Sequence, residues 1–332
     1  MKKILITGAS GFIGSSLVEE GLNRGYEVYA GIRGTSSKKY LADNRIKFFE
    51  LNFGDPEQLA RQIGDFCKTN GRFDYIIHNA GITKAKKIQD YFTVNYQNTK
   101  NLVEAFVKSN NVPEKFIYMS SLAAIGPGVT QDPIRHTDEP NPVTSYGKSK
   151  LETENYLRSL KDFPYIIIRP TAVYGPRDKD IFILLKMLNR NFEAYIGFGR
   201  QVLSFIYVKD LARAIFLALE SPHKQRAYLV SDGLVYDSKT FNSIAKKKLN
   251  KRTISITVPS AILKPIAYTT ETLASLFGSI ATFNRERLRE FEARNWAVDT
   301  ELLQTETGFK ASYDLEKGLG ETIDWYKQNG WL

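Results

Sequence analysis

The sequence predicts an α/β protein: a doubly wound parallel sheet with a smaller, partly interleaved C-terminal lobe. Three observations carry this. Apolar strand-like runs recur through the first half, amphipathic helical segments separate most of them, and the alternation stops after residue 177. The runs are 3–8, 27–33, 47–53, 75–80, 115–121 and 165–170, and helical apolar spacing is clear at 14–24 and 98–109. Near-continuous apolar strands joined by helices are buried on both faces of a parallel sheet. Right-handed crossovers then wind the sheet in both directions and put ligands at the carboxyl ends of its strands.

Composition narrows the function classes. The chain has 332 residues, 42% hydrophobic and 25% charged, which is ordinary for a globular protein. Its net charge is +10, but Lys and Arg are scattered, with small clusters only at 84–87 and 246–248. No nucleic-acid motif accompanies them, so this charge reads as solvated surface and no nucleic-acid partner is expected. The single cysteine, Cys67, excludes an internal disulfide framework and fits a reducing, cytoplasmic compartment. It is expected as a buried thiol.

No stretch reaches the ~18 apolar residues that span a bilayer. The most apolar late region, 258–283, is broken by Lys264, Pro265 and Glu271. It is expected as a helix covering a substrate pocket, with weak membrane-surface contact as the other reading. Three histidines, His78, His136 and His223, lack ligand spacing, so no metal is expected.

The stretch "ITGASGFIG" places Gly8, Gly11 and Gly14 between the first strand and the first helix. Glycines let backbone approach a pyrophosphate, and a helix start offers free N–H groups and its positive dipole end. Following a first strand in a βα series, the triplet predicts dinucleotide binding by Gly8, Ser10, Gly11, Phe12, Ile13 and Gly14. The end of the second strand, "AGIRGTSSKKY", has Arg33, Ser36, Ser37, Lys38 and Lys39 but no acid for a ribose 2′-hydroxyl. Arg33 and Lys38 therefore read as a 2′-phosphate pocket, predicting NADP in preference to NAD. The expected division is a dinucleotide-binding Rossmann domain over 1–178, with 203–230 returning to it, and a substrate-binding lobe from 179–202 and 231–332. No flexible linker separates them, so the lobes should pack together.

Tyr146 and Lys150, four apart in "YGKSK", project from one helix face. A nearby ammonium favours the phenolate and makes tyrosine a usable acid or base. Ser120 and Ser121 close the fifth strand-like run at the sheet's carboxyl edge, where a hydroxyl can hold a substrate oxygen beside the tyrosine.

"TGASGFIG", "HNAG" (78–81), "VNYQNTKNL" (94–102), "SSLAAIG", "YGKSK", "RPTAVYGPR" (169–177) and "FIYVKDLARAI" (205–215) follow one another in the order of the extended short-chain dehydrogenases/reductases. Over nearly its whole length the chain resembles this superfamily of NAD(P)-dependent epimerases, dehydratases and 3β-hydroxysteroid dehydrogenases. The resemblance implies Tyr146 as general acid/base, Lys150 as holder of the nicotinamide ribose, and Ser121 rather than Ser120 as the catalytic hydroxyl. It implies cofactor contacts from Asn52 and Phe53 at the adenine, from Ala80 and Gly81, and from Pro170, Thr171 and Val173 at the carboxamide. Asn95 would support the site, and for Asn95 and Pro170 a structural role stands beside the contact role. Dimerisation through the helices at 92–108 and 146–160 is common in this superfamily and is expected here.

One departure bears on substrate. Nucleotide-sugar members often carry an Arg just before the "FIYV" strand, where this chain has Leu203 and Ser204, with Arg200 a few residues upstream. An aliphatic side chain cannot hold a diphosphate. The lobe offers Phe182, Leu184, Leu185, Phe192, Phe198, Leu263 and Phe277, each of which also fits a core, and the segment 294–309 resembles the 3β-hydroxysteroid dehydrogenase and dihydroflavonol-reductase branch. The leading expectation is a dehydrogenase or reductase acting on a hydrophobic small molecule, steroids included. A nucleotide-sugar epimerase, dehydratase or reductase is the alternative, and a non-catalytic NADP-binding regulator the third reading.

Overall fold

A computed structural model describes residues 1–197, 199, 201–276 and 284–332. Phe198, Arg200 and Phe277, named above, and residues 278–283 of the late apolar region lie outside the described residues.

The first half runs β1 (Lys3–Thr7), α1 (Phe12–Asn23), β2 (Glu27–Ile32), β3 (Lys47–Glu50), α2 (Pro56–Asn70) and β4 (Tyr75–His78). A short α3 (Ile88–Tyr91) and a π-helical turn (Phe92–Gln97) lead into α4 (Asn98–Lys108). Then come β5 (Lys115–Met119), α5 (Ser145–Ser159), β6 (Tyr165–Pro170) and β7 (Ala172–Tyr174). The second half continues through α6 (Asp180–Asn189), β8 (Phe192–Ile196), β9 (Val202–Leu203), β10 (Phe205–Tyr207), α7 (Val208–Glu220) and β11 (Arg226–Val230). It proceeds with β12 (Tyr236–Asp237), α8 (Ser238–Leu249), β13 (Ile254–Val258), α9 (Ser260–Leu276) and α10 (Arg285–Glu292). It closes with β14 (Asn295–Trp296), α11 (Glu301–Thr307) and α12 (Leu315–Gln328).

Seven strands form the central parallel sheet in the order β11-β6-β5-β4-β1-β2-β3. The chain winds outward from β1 to β3, then returns to β4 on the other side of β1. That reversal opens a crevice beyond the carboxyl ends of β1 and β4. Strand pleating sends alternate residues to opposite layers. Ile4 and Ile6 join one core with Leu17 of α1 and Ile215 of α7. Leu5 joins the other with Leu59 of α2, Phe106 of α4 and Leu157 of α5.

Two sequence expectations change, and the sheet has a strand the sequence did not disclose. The runs ending at 53, 80 and 121 are longer than their strands: Leu51 and Ser120 still donate to Ile32 and Ile168 across the ladder, while residues 52–53, 79–80 and 121 have turned into loops at the crevice. The strand within "SFIYV" does not join the central sheet: β10 pairs with β7. The seventh position is taken by β11, whose polar start at Arg226 hid it from a hydrophobicity reading. Cys67 is half-buried at the rim of a core, not fully buried.

A third core joins α6, α8 and α12 and includes Leu185, Phe241, Leu319 and Tyr326. Phe182 belongs to it, packing on Tyr326 and Trp331 with ring centroids 5.2 and 5.1 Å away. These two of the apolar residues offered for a substrate are thus core, while Leu184 and Phe192 are exposed. Among the described residues no helix is long and apolar enough to cross a membrane.

Candidate active site

The glycine turn is shaped by close backbone approach. Gly8 has φ +65°, and a Cβ on it would lie 2.8 Å from the Ala80 nitrogen. A Cβ on Gly14 would meet the Gly8 carbonyl oxygen at 2.0 Å, so α1 can start here only with glycine. Gly11 caps α1 without a side-chain hydrogen bond, and no acid occupies the first turn. The helix start therefore keeps free donors and positive potential, which fits a dinucleotide pyrophosphate. Phe12 opens α1 and accepts from the Ser15 hydroxyl through its carbonyl; Ile13 turns its side chain into the core; Ser10 sits half-buried in the turn.

At the ribose end Arg33 and Lys38 are exposed, with Lys38 Nζ 4.2 Å over the Phe48 ring. An acid is also present, from an element the sequence reading did not connect. Glu50, the last residue of β3, puts its Oε1 2.8 Å from where a Cβ on Gly34 would sit. Asn52 accepts the Gly54 N–H and donates to Gln58, while Phe53 packs edge-on against His78.

Beyond β4, Ala80 donates its N–H to the Thr7 hydroxyl. Gly81 leaves room for two side chains: a Cβ there would lie 2.9 Å from Asn95 Oδ1 and 3.3 Å from Lys150 Nζ. Asn95 is fully buried in the π-helical turn. Its Oδ1 accepts the Ile82 N–H at 2.8 Å, and its Nδ2 donates to the Ile82 carbonyl and the Ser149 hydroxyl. Both ends of the amide are used, so in this structure Asn95 braces the loop against α5. Thr171 bonds Val230 of β11 through its N–H and hydroxyl, Pro170 ends β6, and Val173 pairs with Ile206.

Tyr146, Lys150 and Glu154 lie at successive turns of α5, which Thr144 caps by accepting the Gly147 N–H. Ser121 caps the turn after β5, accepting the Ala123 N–H at 3.2 Å, and hydrogen-bonds the Tyr146 side chain. Ser120 faces the interior and donates to Glu154 at 2.5 Å. The two serines are thus separated by strand alternation, with Ser121 beside the tyrosine. Lys150 is buried and donates to the Met119 carbonyl at 2.7 Å, its Nζ 5.9 Å from the Tyr146 ring centroid.

Tyr146 is not lowered in the protein alone: burial pushes its pKa up to about 12, against the pull of the Ser121 hydrogen bond. Burial also pushes Lys150 down to about 7, while Glu154 pulls it up. The ammonium that should favour the phenolate is itself desolvated and held at the Met119 carbonyl. His78 is buried between the hydroxyls of Thr7 and Thr99 and falls to about 3 by burial, so it stays neutral.

Side chains from distant sequence complete the site. Glu286 of α10 accepts the Ser145 N–H at 2.7 Å, docking the C-terminal lobe on the start of α5. Arg287 bonds Glu290 and Asp180 at 3.4 Å each, and Asp180 in turn meets Lys84 at 2.5 Å. Burial raises the Glu290 carboxyl, with Arg287 opposing. Glu154 was findable in sequence, four residues beyond Lys150; the Asn284 cap marks α10 as a helix, but nothing local records that it docks on α5.

The NAD dependent epimerase/dehydratase family model matches residues 4–231. The chain belongs to that family. Like other members it is an NAD-dependent enzyme of the extended short-chain dehydrogenase type. It is 24% identical to a decarboxylating sterol-4-alpha-carboxylate 3-dehydrogenase of Dictyostelium discoideum, over 97% of this chain and all of that protein. It is also 24% identical to a ceramide reductase of Caulobacter vibrioides, over 99% and 96% of the two chains. In fold it matches UDP-glucose 4-epimerase of Thermotoga maritima, with a TM-score of 0.79 and 23% identity over 98% and 99% of the chains. Family membership thus carries the cofactor class and the fold, across relatives with different substrates.

Proposed function

We propose that this family member is a dehydrogenase or reductase that exchanges a hydride between a nicotinamide dinucleotide and a hydroxyl or keto group of a hydrophobic small molecule, steroid-like molecules included. The observation that carries this is the hydrogen-bonded Ser121–Tyr146 pair beside buried Lys150, at the carboxyl edge of β5. In this reading 1–178 with 203–230 forms the cofactor domain, and 179–202 with 231–332 the substrate lobe.

The bound dinucleotide supplies or accepts the hydride at nicotinamide C4. Gly8, Gly11 and Gly14 would hold its pyrophosphate at the start of α1. In the reducing direction Ser121 donates a hydrogen bond to the carbonyl oxygen, and Tyr146 gives that oxygen its proton and becomes a phenolate. Lys150, as ammonium, stabilises that phenolate and binds the ribose; oxidation reverses each transfer. NADP is the preferred dinucleotide in this reading, through Arg33 and Lys38.

Position 203 supports an apolar substrate only by what it lacks: Leu203, half-buried against the third core, puts no guanidinium where nucleotide-sugar members often carry one. The names of the sterol and ceramide relatives point the same way. A nucleotide-sugar epimerase, dehydratase or reductase is the second reading, favoured by Arg287, a guanidinium on the helix docked against α5. A homodimer through the helices at 92–108 and 146–160 is part of the proposal. The deciding assay follows NADPH oxidation and NADP reduction against steroid, simple ketone and nucleotide-sugar panels. Turnover confined to nucleotide sugars would replace the first reading. Tyr146→Phe should abolish turnover and leave dinucleotide binding nearly intact; retained turnover would remove Tyr146 from its role.

A further inference from the structure

The parallel ribbon of β8 and β13 has its polarity reversed. Phe192 pairs with Ile254, Glu193 with Ser255, and Ala194 with Ile256. The inner face is polar: Glu193, 2% exposed, accepts from Lys246 at 2.8 Å, Thr253 at 2.7 Å and Ser255 at 3.1 Å, and from the Tyr195 hydroxyl. The outer face is apolar and open, with Phe192 51%, Ile254 67% and Ile256 49% exposed. Side chains alternate along a strand, so these three and Ala194 share one face. Two residues past the ribbon, α9 begins and exposes Ile262 and Ile266, one turn apart on one helix side.

The strand starts of this face carry one sign of charge, while at α9 Lys264 pairs with Glu292. Residues 181–192 and 244–258 contain no acid, but include Lys186, Arg190, Lys251 and Arg252. Ile254 donates its N–H to the Asn191 carbonyl, which brings the strand starts, with Arg190 and Arg252, side by side. Both arginines are exposed, and among the described residues neither joins an ion pair with an acid. An open apolar face bordered by unpaired cations suits an anionic lipid surface: the side chains enter the headgroup region while the cations meet phosphates. A second copy of this chain would bring like charges together at the same face.

We propose that the β8–β13 ribbon, with the start of α9, docks this protein on anionic membranes. The inference rests on this surface and not on the proposed substrate, so it stands or falls separately.

The test is flotation of the full chain with phosphatidylcholine vesicles and with vesicles also containing phosphatidylglycerol. The protein should float with the anionic vesicles, more weakly as salt rises. Arg190→Glu and Arg252→Glu should each lower partitioning by about fivefold or more. Ile254→Glu should abolish it, with far-UV circular dichroism and dinucleotide binding unchanged, and Phe192→Ser gives a second variant on the same open face. Absence of flotation, or variants that float like the parent, would overturn the inference. So would a dimer that sedimentation velocity detects in the parent and that Ile254→Glu dissociates, since a second copy would then cover the face.

Discussion

Glu154 and Arg169 form an ion pair beneath the candidate site, with Arg169 Nε 3.0 and 3.2 Å from the two carboxylate oxygens and both side chains buried. Ser120 donates to the same carboxylate, and Glu154 lies one helical turn beyond Lys150. The pair ties α5 to β5 and β6. Arg158 reaches the same carboxylate only at 3.9 Å, so removing Arg169 leaves a buried charge largely uncompensated, which costs about 3–5 kcal/mol. Arg169→Met should therefore lower unfolding free energy in urea by about that amount, and Glu154→Met/Arg169→Met together should recover most of it. Additive losses would show that the two charges do not compensate each other.

Lys150 should leave a pH signature on stability. Its folded pKa is lowered to about 7 from an ordinary 10.5 by burial. Between those values the unfolded chain binds the proton that the folded chain does not, so this group makes stability rise with pH. Relative to Lys150→Met, the parent should gain stability from neutral toward alkaline pH, and lie at its relative minimum below the folded pKa. A difference that stays constant across that window contradicts the burial of an ionisable Lys150.

Tyr146 gives the kinetic counterpart. With its pKa raised to about 12 by burial, it remains protonated at neutral pH. Reduction, which needs the protonated form, should show no loss of kcat/KM from this group up to mildly alkaline pH, whereas oxidation should climb with pH. Profiles with the opposite slopes would exclude Tyr146 as the proton carrier.

Two glycines should respond oppositely to the same substitution. Gly14→Ala drives a methyl group to 2.0 Å from the Gly8 carbonyl oxygen, so the turn must open, with loss of dinucleotide binding and of stability. Gly64 lies inside α2, where a Cβ would find its nearest neighbour beyond the helix's own backbone, Ser109 Cβ, at 3.9 Å. Gly64→Ala should stabilise the protein by up to roughly 1 kcal/mol. Thermal unfolding and dinucleotide titration of both variants check this.

Glu50 bears on the dinucleotide. Its carboxylate beside Gly34 repels a 2′-phosphate and can accept from a 2′-hydroxyl. Glu50→Gln should lower the KM for NADP(H) relative to NAD(H), and Arg33→Ala should raise it. Unchanged ratios in both variants would place the ribose elsewhere.

What could be read from residue order follows from how local each signal is. The alternation of apolar runs and amphipathic helices disclosed six of the seven sheet strands, because strands buried on both faces are near-continuously apolar, while the exposed edge strand β3 was found by its Phe48–Phe49 pair. It missed β11, which starts on Arg226 and is only five residues long. The glycine turn and the Tyr146–Lys150 spacing were legible because each signal spans a few residues within one turn or helix, whereas the residues alone left Ser120 and Ser121 open and only the resemblance favoured Ser121. Arg33 and Lys38 were visible beside Gly34, but Glu50 was not, since strands β2 and β3 become neighbours only in the sheet.

Sequence by itself determined the wound sheet, the phosphate turn and the tyrosine–lysine helix, since periodicity and spacing are properties of neighbouring residues. Tertiary structure alone decided that Asn95 braces a loop, that Glu286 ties the C-terminal lobe to Ser145 across 141 residues, and that Ser120 serves Glu154 while Ser121 meets Tyr146. It also decided the protonation balance: Tyr146 and Lys150 are shifted chiefly by desolvation. Burial is set by what packs around a group, and no spacing within a helix records that.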